Sequence, residues 1–168
     1  MCPREALACF DRVLAMDAAH AEARFDRALA LLTMGDFERG WAEYESRWQM
    51  KRNPPRRLPG QRWRGEVVAN KTVFLHAAQG FGDAIQFARF APLLQQRGAR
   101  VVLECRPELY RLFQSAPGVD QLIRRGEPPP EYDFHCPLLS LPALLNLRHL
   151  PDFAVETPYL LAPASAGD

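Results

Sequence analysis

The stretch that decides the fold is KTVFLHAAQGFGDAIQFARFAPLLQQRGARVVLEC, residues 71–105. It begins with a short apolar run at 72–77, of the kind that is buried in a parallel sheet. A glycine-containing turn follows, and then apolar residues recur at helical spacing from about residue 84 to 96, where Pro92 should kink the helix or shift its start. Residues 100–105, RVVLEC, contain the apolar run Val101-Val102-Leu103. The stretch therefore predicts a strand, a helix and a second strand.

The same alternation continues downstream. We expect a helix at 107–115, a short strand at 121–123, a strand at 132–135 and a last helix at 139–147. Strands that alternate with helices are typical of a parallel sheet with right-handed crossovers. The sequence therefore predicts an α/β fold for this half of the chain.

The first 48 residues are predicted to be helical and contain an internal repeat. Shifting the chain by 34 residues aligns EALACF with RGWAEY, which places Ala6 on Gly40 and Phe10 on Tyr44. Between them, residues 21–34 carry a helical apolar stripe, which Gly35-Asp36 ends. Asp36 is positioned to cap the next helix. This part of the chain therefore reads as helices separated by short turns.

The stretch EALACFDRVLAMDAAHAEARFDRALALLTMGDFERGWAEYESRW resembles tetratricopeptide repeats, although Ala18 stands where the repeat usually has proline. The resemblance implies about one and a half repeats within residues 1–48, a number too small to be stable without neighbours. It also implies a protein or peptide partner that docks on these helices. A plain helical hairpin or three-helix cap is the alternative.

A basic, proline-containing segment at 49–70 is predicted to link the two halves. No acidic residue lies between Glu45 and Glu66, and three prolines exclude a long helix. We favour a solvated connector held by Trp48 and Trp63 over a segment that faces an anion or a partner. The basic residues around this segment are Arg47, Lys51, Arg52, Arg56, Arg57, Arg62 and Arg64.

The overall composition excludes several classes of protein. A formal net charge of +1 gives no general attraction for nucleic acid. No apolar run approaches the roughly 18–20 residues that cross a bilayer, and the N-terminus lacks a secretory pattern, so we expect a cytoplasmic protein without a membrane span. The four cysteines form no Cys-x-x-Cys pair. We therefore expect reduced cysteines and no metal site.

Candidate site residues follow the predicted strands. Because parallel strands end at one edge of a sheet, His76, the turn at 79–83, Cys105-Arg106 and His135-Cys136 should converge there. The Gly80-x-Gly82-Asp83 turn is neither a dinucleotide fingerprint, since Ile85 replaces the third small residue, nor a P-loop. Asp83 at the helix start has a plain alternative role as a helix cap.

Three quoted segments carry a second resemblance: KTVFLHAAQGFGDAIQFARFAPLLQQRGARVVLECRPELYRLF, PGVDQLI and YDFHCPLLSLP. Over residues 41–163 the chain is similar to the N-terminal lobe of glycosyltransferases fused behind tetratricopeptide repeats, which are related to the heptosyltransferase-like family nine. The resemblance implies a GT-B-type enzyme, in which a first Rossmann-like lobe binds the acceptor and a second binds the nucleotide-sugar donor.

That resemblance also implies roles for particular residues. Asp83 falls on the candidate general base, which would deprotonate the acceptor hydroxyl during an inverting transfer. No cofactor other than the nucleotide-sugar donor is implied, and the acceptor would be a glycan or a protein. The acceptor-side candidates are His76, Gln79, Gly80, Gly82 and His135. Structural roles remain the alternative for both histidines.

We therefore expect a helical repeat at 1–48, a linker at 49–70, one Rossmann-like lobe at 71–163 and a tail at 164–168. No second set of alternating strands and helices follows, so the donor site is expected to be absent and the chain to be a fragment that is inactive alone. Two alternatives stay open. One is a protein-interaction module with a non-catalytic α/β scaffold, and the other is a small-molecule binder that uses the strand-end cleft.

Overall fold

The computed structural model describes residues 2–51, 54–77, 80–154 and 157–162. The chain divides into two compact units. Unit 1 comprises Met1–Arg57 and Pro142–Ala154, and unit 2 comprises Leu58–Leu141 and Val155–Asp168. These boundaries differ from the predicted ones, which place 58–70 in a linker and 142–154 in the α/β lobe. No helix in the described part of the chain is long and apolar enough to cross a membrane.

Unit 1 begins with three helices and a short 3-10 segment, as the helical periodicity of the first 48 residues predicts. The turn between the second and third helices forms where Gly35 adopts a positive φ of 81° and the Asp36 side chain accepts a hydrogen bond from the Arg39 amide. The helices are α1 (Pro3–Met16), α2 (Ala21–Thr33) and α3 (Phe37–Tyr44), followed by the 3-10 segment Glu45–Gln49.

Close packing and an ion-pair cluster hold these helices together. A Cβ atom at Gly40 would lie 2.7 Å from the Leu32 side chain, so only glycine permits this approach of α3 to α2. Arg27 on α2 bonds Glu43 on α3 at 2.7 Å and Asp11 on α1 at 2.7 Å. The small residue at position 40 thus has a packing role, and the tetratricopeptide assignment itself stays a prediction.

Residues 142–154 pack on α3 within unit 1. The Phe153 ring lies 4.8 Å from that of Phe37, and Arg148 forms an ion pair with Glu38 at 2.9 Å. The sequence predicted a terminal helix here, but its local pattern holds no signal for the partner. Only the tertiary fold assigns this segment to unit 1.

Unit 2 is a mixed α/β unit with a parallel sheet, which confirms the predicted fold class at this level. The five strands among its described residues pair in the order β1-β5-β2-β3-β4. The strands are β1 (Gln61–Arg62), β2 (Thr72–His76), β3 (Arg100–Cys105), β4 (Gln121–Arg124) and β5 (Phe134–Pro137). The helices are α4 (Phe81–Ala88), α5 (Ala91–Gln96), α6 (Tyr110–Phe113) and α7 (Leu141–Leu145), the last of which runs into unit 1.

The strand order places a topological switch beside β2. From β2 the chain moves outward to β3 and β4, and it then returns to pair β5 on the opposite side of β2. On one face, Phe74, Val102 and Ile123 form a buried cluster, against which Leu58 and Tyr132 pack. Ligands of open α/β sheets bind beyond the carboxyl ends of the strands at such a switch.

Two details of unit 2 differ from the expectations. The predicted helix at 84–96 is divided into α4 and α5, because Pro92 lies in the first turn of α5 and cannot continue a preceding helix. β5 begins at Phe134 rather than at residue 132.

The basic segment between the halves is partly structural. Arg47 is only 1% exposed and its guanidinium lies 4.4 Å from the Tyr44 ring centroid and 4.3 Å from that of Trp48. Trp63 is 1% exposed within unit 2, where its amide donates to the His135 carbonyl at 2.9 Å. β1 lies just before Trp63 and has only two residues. It is therefore too short to show the alternation of apolar and polar residues that predicts a strand.

Candidate functional site

The carboxyl edge of the sheet carries the candidate residues of unit 2. β2 ends at His76, and α4 begins after Gly80. Arg106 follows β3, the neighbouring strand, while β5 ends at Pro137 on the other side of β2. Gln79, a predicted acceptor-side residue, lies outside the described residues.

Asp83 is the third residue of α4 and not its N-cap, which is Gly80. Its side chain is half-buried, and it forms no hydrogen bond or ion pair with the described part of the chain. A Cβ atom built on Gly80 would lie 4.0 Å from Asp83 Oδ2, so the carboxylate turns back toward the start of the helix. Asp83 thus has no capping bond, and its oxygens are available to a ligand.

Gly80 and Gly82 leave space around this carboxylate. Both are exposed, and a Cβ atom at Gly82 would meet nothing within 4 Å. Neither has a positive φ, so the turn does not require glycine for its backbone conformation. What the two glycines provide is close access to the backbone at the beginning of α4.

An aromatic–cation pair lies at the first residue of α4. Phe81 is 44% exposed, which is high for a large apolar side chain, and the Arg106 guanidinium lies 5.1 Å from its ring centroid. This distance is within the range of a cation–π contact. Sequence reasoning placed Arg106 at a strand end but gave no role to Phe81, since an aromatic residue in a helical turn carries no functional signal of its own.

The two predicted histidines are buried rather than presented to solvent. His76 is 2% exposed and His135 is 7% exposed, and their ring centroids are 5.7 Å apart. His135 pairs in register with Phe74, inside β5 and below the strand end. Both rings therefore belong to the sheet interior, where they support the edge without lining an open surface.

Glu104 completes this buried polar group and was missed by the sequence analysis. It is 1% exposed and lies directly opposite His76 in the register of β3 and β2. The available signal was a carboxylate directly after the apolar run Val101-Val102-Leu103, because burying a carboxylate is costly unless it is partnered. Register is a tertiary property, so the sequence alone could not pair Glu104 with His76.

Two further groups near the edge, Cys105 and Arg124, have structural surroundings that do not favour reactivity or ligand binding. Burial raises the pKa of the Cys105 thiol to about 11. Arg124 stacks at 3.7 Å from the Tyr110 ring centroid and pairs with Glu127 at 3.3 Å. Within the described residues, no cluster of three or more His, Cys, Asp or Glu side chains is placed to hold a metal ion.

Unit 1 carries a separate concave feature. A cavity of about 200 Å³ lies between α3 and the segment 142–148, with Phe37, Trp41 and Leu147 among its lining residues and the Glu38–Arg148 ion pair beside it. Its mixed apolar and charged lining suits a peptide side chain better than a bulky cofactor.

Together these features define an α/β protein with a parallel sheet, an attached helical unit and a candidate ligand edge at the switch point. Comparison with known proteins adds one partial relative. Protein FlbA of Caulobacter vibrioides is 37% identical over 71 residues, which cover 41% of this chain and 12% of FlbA. The match thus spans a small part of FlbA's length.

No protein-family model matches the chain, and no solved structure matches it. The similarity to FlbA is therefore a relationship of one segment and assigns no family or activity.

Proposed function

We propose that unit 2 is the acceptor-side lobe of a glycosyltransferase and that Asp83 is its general base. The observation that supports this most is the Asp83 carboxylate, which is half-buried, accessible and unengaged within the described residues, at the sheet edge where α/β proteins bind ligands. The resemblance in the stretch around Gly80 and Gly82 supports the same role.

As a general base, Asp83 needs only to lie within hydrogen-bond reach of the acceptor hydroxyl. The acceptor hydroxyl donates a hydrogen bond to the Asp83 carboxylate. As the hydroxyl oxygen bonds the anomeric carbon of the donor sugar, its proton passes to Asp83, and the bond from that carbon to the nucleotide diphosphate breaks with inversion. The diphosphate leaves with the bonding electrons, so charge and atoms balance.

The donor must be held by residues other than those described. Within the described residues of unit 2, one parallel sheet is present, and the proposal assigns it to the acceptor. Positioning of both reactants supplies much of the rate of such a reaction. We therefore expect this chain alone to bind an acceptor but not to transfer a sugar.

A second function rests on unit 1. The cavity beside Phe37 and Trp41, together with the helical packing of α1 to α3, supports docking of a protein or peptide. This role is compatible with an acceptor-side lobe in unit 2. It becomes the main function if unit 2 binds no carbohydrate.

The test combines glycan-array binding with an assay of nucleotide-sugar consumption, on the wild-type chain and on Asp83→Asn. We expect the wild type to bind an acceptor glycan, Asp83→Asn to keep that binding, and neither protein to consume donor. Transfer by the chain alone that Asp83→Asn abolishes would support the base and overturn the expected inactivity. Capture of a protein through unit 1 without any glycan binding would favour the interaction module.

A further inference from the structure

We propose that Arg106 is an oxyanion-binding residue that selects ligands bearing a carboxylate or a phosphate at the carboxyl edge of unit 2. The inference rests on the proposed function, which it deepens by naming the class of acceptor. Arg106 follows β3 directly and stacks on Phe81 in the first turn of α4, two residues before Asp83.

The charge of Arg106 is uncompensated. It forms no ion pair with any residue in the described part of the chain, whereas Arg124, at the end of the next strand, is paired with Glu127 at 3.3 Å. A guanidinium keeps its charge at every physiological pH. The edge beside Phe81 therefore carries a permanent positive charge that no described carboxylate neutralises.

The geometry of the side chain adds a second observation. Arg106 is half-buried, and its Nε atom is shielded from solvent without a hydrogen-bond acceptor in the described residues. A buried N–H group that lacks an acceptor is costly, and in native proteins such groups usually have a partner. The two terminal nitrogens are not shielded in this way, and together they form the fork by which arginine bonds two oxygens of a carboxylate or phosphate.

Phe81 fixes where that fork lies. The ring lies beside the guanidinium, with centroid and Cζ 5.1 Å apart, and so restricts its orientation before a ligand arrives. Less ordering is then required on binding, which favours affinity. The exposed part of the Phe81 ring offers an apolar surface to the body of the same ligand.

Asp83 limits which ligands suit this edge. Its carboxylate repels an anion and accepts a hydrogen bond from a hydroxyl. The Arg106 guanidinium attracts an anion and can only donate hydrogen bonds. A ligand that satisfies both needs an acidic group on the Arg106 side and a free hydroxyl on the Asp83 side. Uronic acids and sugar phosphates have both groups, whereas neutral sugars lack the first.

The experiment titrates the full ¹⁵N-labelled chain with D-glucuronate, glucose 6-phosphate and D-glucose, and follows the Arg106 Nε–H signal and the amides of Phe81 and Asp83. The two anionic probes distinguish a carboxylate from a phosphate preference. The variants are Arg106→Gln, Arg106→Lys and, as a matched control, Arg97→Gln. Arg97 is exposed and precedes β3 at the opposite edge of the sheet.

We expect saturable shifts at these three residues with at least one anionic probe, and binding at least about tenfold weaker for D-glucose. Arg106→Gln should weaken anion binding by a similar factor, Arg106→Lys should restore part of it, and Arg97→Gln should leave it unchanged. Equal binding of glucose and the anions would overturn the proposal, as would anion binding that survives Arg106→Gln or shifts confined to other residues.

The two proposals fail separately. Carbohydrate binding at Asp83 that is indifferent to Arg106 removes the oxyanion role and leaves the acceptor lobe. A further titration uses inorganic phosphate. Its binding at Arg106 without binding of any sugar would contradict the acceptor lobe and keep the oxyanion role.

Discussion

His76 and Glu104 lie directly opposite each other on the neighbouring parallel strands β2 and β3, and both side chains are almost fully buried, at 2% and 1% exposed. Strands in a sheet are roughly 4.8 Å apart, so an imidazole and a carboxylate on one face at this register are close neighbours. His76 is the last residue of β2, and it precedes Asp83 by seven positions in the chain. We expect the two buried polar residues to contribute jointly to the stability of the sheet.

A double-mutant cycle measures the interaction between His76 and Glu104. Glu104→Leu and His76→Phe should each destabilise the protein by about 2–4 kcal/mol, because each removes a buried polar neighbour of the other residue. The double variant should be more stable than the sum predicts by about 1–3 kcal/mol. Urea unfolding gives the free energies, and Glu108→Leu on the surface serves as the control. Strictly additive losses would show that the two residues do not interact.

Asp133 should make folding sensitive to acid. Its carboxylate accepts hydrogen bonds from the Thr72 amide at 2.8 Å and from Lys71 at 2.9 Å, and these contacts, the Thr72 bond first, hold the pKa of Asp133 below its ordinary value. The folded state therefore favours the ionised form. The resulting stability is present above the pKa of an unfolded aspartate, about 3.9, and is lost as the pH falls through the lower folded pKa.

Asp133→Asn should consequently be less stable than the wild type near neutral pH, and the two should converge in acid. Urea unfolding at a series of pH values checks this, with the exposed neighbour Glu131→Gln as a control that should follow the wild type. A constant difference between Asp133→Asn and the wild type down to the lowest pH would contradict the assignment.

Gly118 should tolerate no side chain. Its φ is +71°, and a Cβ atom there would lie 2.5 Å from Pro92 Cα, at the beginning of α5. Gly118→Ala combines backbone strain with a clash and should cost about 2–5 kcal/mol. Gly126 has a φ of +99° but open space around it, so Gly126→Ala isolates the strain and should cost about 1–2 kcal/mol. Thermal unfolding compares the two, and equal losses would exclude a role for the Pro92 contact.

Much of the fold was predictable because its signals are local. The apolar runs at 72–77 and 100–105 correspond to β2 and β3, and the turn at Gly35 and Asp36 separates two helices where expected. β1 was not predictable, because a two-residue strand is determined by the neighbour it pairs with and not by its own pattern. The placement of 142–154 in unit 1 depends in the same way on tertiary contacts.

The site was predictable only in part, and for a related reason. Strand ends and turns are readable, which placed Asp83 and Arg106 at one edge in advance. Burial and register are not readable, so His76 and His135 were expected as possible ligand contacts and Glu104 was overlooked, although the three belong to one buried polar group. The contact between Phe81 and Arg106 joins the first turn of α4 to the residue after β3, and these are distant in sequence.

The central claim is that unit 2 binds a carbohydrate acceptor at Asp83. The most direct measurement is amide NMR of the full chain during titration with the glycan that binds best on an array, repeated with Asp83→Asn. The account predicts shifts that centre on Gly80, Phe81, Gly82 and Asp83, with the Arg97 region at the opposite edge unchanged. Shifts confined to α1–α3 and 142–154, or no saturable binding of any glycan, would contradict it.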